Sequence, residues 1–136
     1  STQVTFTPKT QYDQCGLMVR IDAENWIKTS TEFENESHSR LGSVVTNLGY
    51  SDWSTQDVLS SHTQMWYRIS RCGADFLVEA SFDGERWLQL RVAHLHKAQD
   101  VVAAGVYACS PIGKAFRCVF TEVTIGESTW SGGEGE

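Results

Sequence analysis

Proline is scarce in this 136-residue chain, with two residues against eleven glycines, and no apolar run approaches the roughly 18 to 20 residues of a membrane-spanning helix. Those two shortages set aside a collagen-like repeat and a helical membrane anchor. Basic residues are also few: 11 Lys and Arg face 17 Asp and Glu, a net charge of −6, so the surface as a whole does not attract a phosphate backbone. Nucleic acid is not an expected partner, and neither is a membrane. The opening Ser1-Thr2-Gln3-Val4-Thr5-Phe6-Thr7 lacks the charged and apolar stretch of a secretory leader, although a leader already removed leaves no trace. The four cysteines, Cys15, Cys72, Cys109 and Cys118, form no CxxC pair, which removes the usual zinc and thioredoxin signatures. Nor is there a Gly-x-Ser-x-Gly elbow or a phosphate-binding glycine loop ahead of a helix.

What is present is β-sheet pattern. Most segments alternate apolar with polar residues or run through Val, Ile, Phe, Tyr, Trp and Thr. Nine strands are predicted: 4–7, 15–22, 26–33, 41–48, 65–71, 76–82, 87–93, 101–109 and 116–125. Short strands divided by turn signals point to an all-β fold, a sandwich or jelly roll of two packed antiparallel sheets. Asp83-Gly84 predicts a tight hairpin. Ser110-Pro111-Ile112-Gly113 predicts the connection from Cys109 to the strand near Phe116, across which Cys109 and Cys118 would face each other. The polar segments 34–40 and 50–63 read as loops. Residues 1–126 read as one lectin-like domain, followed by a flexible Gly/Glu-rich tail, 127–136, with Trp130 as its only anchor. Cysteines among strand-forming residues read as reduced thiols in a cytoplasmic setting.

Period-two arithmetic sorts side chains by face. Leu17, Val19 and Ile21 point to a core, leaving Met18, Arg20 and Asp22 on the other side. Ile27, Thr29, Thr31 and Phe33 share one face, and Trp26, Lys28, Ser30 and Glu32 the opposite one. If the two strands pair, Arg20, Trp26, Lys28 and Glu32 line one outer surface. A tryptophan among charged groups offers stacking for the C–H face of a sugar ring and hydrogen bonds for its hydroxyls. The competing reading is a solvated face of cross-strand ion pairs. Asp52-Trp53 is a second candidate, a carboxylate beside an aromatic on a loop, and Tyr107 a third contributor. Trp66 and Trp87 read as packing residues. His94-Leu95-His96 with Asp100 raises metal ligation against the plainer reading of a polar strand end, and no cofactor is expected. Glu32-Phe33-Glu34-Asn35-Glu36 would present alternate carboxylates if extended, which raises glycoside hydrolysis.

The segment Tyr12-Asp-Gln-Cys-Gly-Leu-Met-Val-Arg-Ile-Asp-Ala-Glu-Asn-Trp-Ile-Lys28, then Ser43-Val-Val-Thr-Asn47, Ser51-Asp-Trp-Ser54, Ser81-Phe-Asp-Gly-Glu-Arg-Trp87 and Gly105-Val-Tyr-Ala-Cys-Ser-Pro111, followed by Phe116, resembles the concanavalin A-like family called domain of unknown function 1349. The matches span most of residues 11 to 125. The resemblance implies a concanavalin A-like jelly roll. It also implies that N-terminal strands are lacking, because family members usually carry aromatic-rich sequence ahead of the segment matching Tyr12. An edge exposed in that way would favour a homodimer by strand pairing. The family includes a regulator of enolase, so the resemblance further implies a metabolic-enzyme partner. It supplies no catalytic residue. Three functions follow in order: a noncatalytic carbohydrate-binding domain using Arg20, Trp26, Lys28, Glu32, Asp52, Trp53 and Tyr107; a cytosolic regulator contacting a metabolic enzyme such as enolase; and a glycoside-processing enzyme using Glu32 or a neighbour.

Overall fold

Alternation resolves into ten strands in the computed structural model, which describes residues 1–133. They are β1 (Thr2–Thr7), β2 (Gln14–Asp22), β3 (Asn25–Phe33), β4 (His38–Asn47), β5 (Tyr50–Leu59), β6 (Gln64–Cys72), β7 (Asp75–Ser81), β8 (Leu88–His94), β9 (Ala103–Cys109) and β10 (Arg117–Thr121). They form two five-stranded antiparallel sheets, ordered β10-β1-β6-β7-β8 and β5-β4-β3-β2-β9. The all-β sandwich expected from the sequence is the fold observed.

The inward faces follow the expected parity. Leu17 and Val19 of β2 and Ile27 of β3 are buried against Val4, Phe6, Met65, Tyr67, Phe76 and Val78 from the facing sheet. Because one sheet's inner face carries Thr29 and Thr31, their hydroxyls need buried partners. Thr31 meets the Tyr67 hydroxyl at 2.6 Å across the core, and Thr29 donates to the Gly42 carbonyl at 2.9 Å. Asp13, buried just ahead of β2, accepts hydrogen bonds from the backbone N–H groups of Lys9 and Thr10 and from the Ser110 hydroxyl, tying the turn before β2 to the segment after β9. At the chain ends, Ser1 and Thr124 exchange backbone hydrogen bonds at 2.9 Å in each direction, beside the β1–β10 pairing.

Four expectations are corrected. Residues 50–59 form β5 rather than a loop; the strand is exposed along nearly its whole length, so no apolar alternation announces it. β9 and β10 are not a hairpin, because β9 pairs with β2 in one sheet and β10 with β1 in the other. Cys118 therefore packs inward with Cys15, while Cys109 stands exposed on β9, and all four thiols are free. The Asp83-Gly84 connection does join β7 to β8, but as a wider loop from Phe82 to Trp87 rather than a tight reversal. Asp83 Oδ1 accepts the Glu85 and Arg86 N–H groups inside it. Trp66 and Trp87 are half-buried rather than core residues. Trp66 lies against Gly84 of that loop, and the Arg68 guanidinium covers the Trp87 ring at 4.0 Å. Trp130 is half-buried, and the last three residues of the expected tail lie outside the described residues.

Candidate functional site

The outer face of the β5-β4-β3-β2-β9 sheet is built of cross-strand rows, fixed by the register of its four ladders. One row runs Tyr107, Gly16, Ser30, Gly42, Thr55 from β9 to β5. Two of its members have no side chain, and backbone packing enforces this: a Cβ on Gly16 would stand 1.9 Å from the Thr29 carbonyl oxygen, and one on Gly42 2.1 Å from that of Ser54. From Ser30 through Gly42 to Thr55 the row is the floor of a groove across β3, β4 and β5, about 10 Å at ordinary strand spacing. On one side rises the row Gln14, Glu32, Arg40, Asp57, and on the other Met18, Lys28, Val44, Trp53. A cleft lies between them, lined by Gln14, Lys28, Glu32, Arg40 and Trp53 together with the floor residues Ser30, Gly42 and Thr55.

The polar wall is organised before any ligand arrives. Gln14 Nε2 donates to Glu32 Oε2 at 2.7 Å and to the Tyr12 carbonyl at 3.1 Å. Its Oε1 accepts from Lys28 Nζ at 2.8 Å and from the Tyr107 hydroxyl at 3.1 Å. Gln14 is thus fully occupied, and what it leaves for a ligand is the second oxygen of Glu32 and the remaining protons of Lys28. Lys28 also stands 5.8 Å from the ring centroids of both Trp26 and Tyr107, within cation–π range. Burial pushes the Tyr107 phenol up, so it stays protonated and donates. Burial likewise raises the Glu32 carboxyl, helped by the neighbouring Glu34 carboxyl and opposed by Lys28 and Gln14. Glu34 in turn faces Arg40 at 3.7 Å and accepts from Gln11 at 3.0 Å. Trp53 is the open element of the site, with 70% of its surface exposed.

Six of the seven residues singled out in the sequence share this face. Lys28, Glu32 and Trp53 line the cleft, Tyr107 closes its β9 end, and Arg20 and Trp26 pair directly with each other one row beyond Lys28. Asp52 does not join them. Its segment is a strand, so it points opposite to its neighbour Trp53, and its carboxylate meets Arg91 of the facing sheet at 3.0 Å. Gln14 and Arg40 were missed. Gln14 shares the parity of Met18 and Arg20, a signal available in the sequence, whereas Arg40 enters only through the pairing of β3 with β4.

The histidine pair lies elsewhere. His94 Nδ1 is 2.6 Å from Asp75 Oδ1, and the His96 ring stands edge-on to it. Among the described residues no three His, Cys, Asp or Glu side chains converge as metal ligands, and no helix is long and apolar enough to cross a membrane.

Residues 1–128 match the family model described as Protein of unknown function (DUF1349). The chain is 34% identical over 114 residues to Regulation of enolase protein 1 of Saccharomyces cerevisiae, covering 84% of this chain and 56% of that protein. It therefore spans little more than half the length of that curated relative. Among solved structures, a functionally unknown protein from Saccharomyces cerevisiae superimposes with a TM-score of 0.81 at 31% identity, over 89% of this chain and 64% of that one. The GH43 protein BlXynB from Bacillus licheniformis superimposes with a TM-score of 0.71 at 12% identity, over 88% of this chain and 25% of that one, a likeness of fold alone.

Proposed function

The chain belongs to the family described as Protein of unknown function (DUF1349), and from that membership and the groove we propose that it is a noncatalytic carbohydrate-binding domain. The observation that carries the reading is a glycine-floored groove with one exposed tryptophan on its rim and a prearranged polar wall opposite. Trp53 stacks against the C–H face of a pyranose, while Glu32, Lys28 and Arg40 exchange hydrogen bonds with its hydroxyls. Because Gln14 already fixes Glu32 and Lys28, little side-chain freedom is lost on binding. Tyr107 bounds the groove at β9, and Trp26 and Arg20 extend its Lys28 side. Asp52 acts indirectly, by holding β5, and with it Trp53, against Arg91.

A second reading is supported by the relative at 34% identity, which is called Regulation of enolase protein 1. On that reading the same outer face contacts a cytosolic metabolic enzyme.

The deciding experiment is a glycan array followed by calorimetry on the native protein and on Trp53→Ala. A sugar is expected to bind the native protein, and the exposed Trp53 ring makes its removal cost about tenfold or more in affinity with circular dichroism unchanged. A folded protein that binds no glycan overturns the carbohydrate reading. If that protein co-sediments with enolase, the second reading takes its place.

A further inference from the structure

Four strands form the edges of the two sheets: β5, β9, β8 and β10. Exposed edges offer unpaired N–H and C=O groups to any passing strand, and proteins guard them with charge, proline, bulges or brevity. Three of the four are guarded. β5 carries Asp52 and Asp57, β8 carries Arg91 beside a register shift at Val78/Glu79, and β10 is five residues long and begins with Arg117. β9 is different. Its sequence, Ala-Ala-Gly-Val-Tyr-Ala-Cys, has no charge and no proline, and all seven residues pair with β2 without a shift. Among edge strands this is the one built to be covered.

We infer that β9 pairs antiparallel with β9 of a second copy of this chain, about a two-fold axis through Val106, joining two sheets into one of ten strands. The strand's own side chains name the occupant. An axis at Val106 sets Tyr107 opposite Gly105 of the second copy, Ala104 opposite Ala108, and Ala103 opposite Cys109. The one bulky outer-face residue thereby meets a glycine, and a Cβ built on that glycine touches nothing within 4 Å. Val106, 41% exposed on the inner face, meets its own copy and is covered. No like charges face each other anywhere along the seam, so the isologous pairing carries no electrostatic cost. Since Tyr107 stands at the β9 end of each groove, pairing also sets the two grooves end to end. That consequence rests on the groove reading, whereas the dimer does not.

Sedimentation velocity on the full chain, from micromolar to submillimolar concentration, tests the pairing without any sugar. The native protein is expected to dimerise reversibly. Val106→Lys and Val106→Glu each set like charges across the axis and are expected to weaken the dimer at least tenfold with circular dichroism unchanged. Mixing the two variants restores a heterodimer. Val119→Lys, on the β10 edge, leaves the dimer intact. If the charged variants do not fold, Val106→Cys in a Cys109→Ser background is expected to give a disulfide-linked dimer on mild oxidation. A native protein that stays monomeric throughout overturns the inference, whatever else then covers β9. So does a dimer broken by Val119→Lys but indifferent to Val106, or a folded Val106→Cys variant that does not cross-link.

Discussion

Glu32 shows how one side chain records its surroundings. Its carboxyl sits above the usual carboxylate range, first because burial disfavours charge and then because Glu34 crowds it. A group whose folded value is raised stabilises the fold fully below its unfolded value, 4.5, and that contribution is lost as pH rises through the folded value. Glu32→Gln removes the titration. Thermal melts between about pH 4 and pH 7 should therefore show the native protein losing ground to the variant as pH rises, despite the loss of attraction to Lys28. Parallel curves would sink this account. The same residue shows what was legible beforehand. Alternation within two short strands was enough to set Arg20, Trp26, Lys28 and Glu32 on one surface. It was silent on the crowding by Glu34 and on the Gln14 bonds, which depend on how strands lie beside one another.

Elements were legible where apolar and strand-forming residues recur along them, buried or not. β2 and β3 alternate cleanly because one face of each meets the core. β5 does not, since it is exposed along nearly its whole length, so its polar run resembled a loop and Asp52 was grouped with Trp53. The break between β9 and β10 was hidden for another reason: turn residues announce a change of direction, not whether the next strand stays in the same sheet. The groove floor is a property of strands in register. Gly42→Ala should widen the β4–β5 contact and cost about 1–3 kcal/mol by denaturant unfolding, because the added carbon meets backbone rather than a yielding side chain. A loss near zero would mean that β4 and β5 already sit farther apart than described.

Over the molecule as a whole, near and distant pairings divide the sheet of β10, β1, β6, β7 and β8. β6, β7 and β8 follow one another as a meander, while β1 pairs with β6 and with β10 from the far end of the sequence. Local pairings close early and distant ones late, since the loop entropy must be spent first. Phe6 of β1 and Phe76 of β7 are both buried, so alanine at either should cost about 3–5 kcal/mol. The two should part in stopped-flow kinetics: Phe76→Ala chiefly slows folding, and Phe6→Ala chiefly speeds unfolding. Equal partition between the arms would show that β1 docks in the folding nucleus.

The clasp of Ser1 on Thr124 carries that order into the cell. On the ribosome β1 emerges before every strand it will pair with, and the last of those partners, β10, only after the eight strands between them. A nascent chain therefore carries β1 with one edge unpaired until β10 has been made. Closure of that sheet waits until β10 has left the ribosome, and during the wait the chain depends most on chaperones to keep β1 from a stranger's edge.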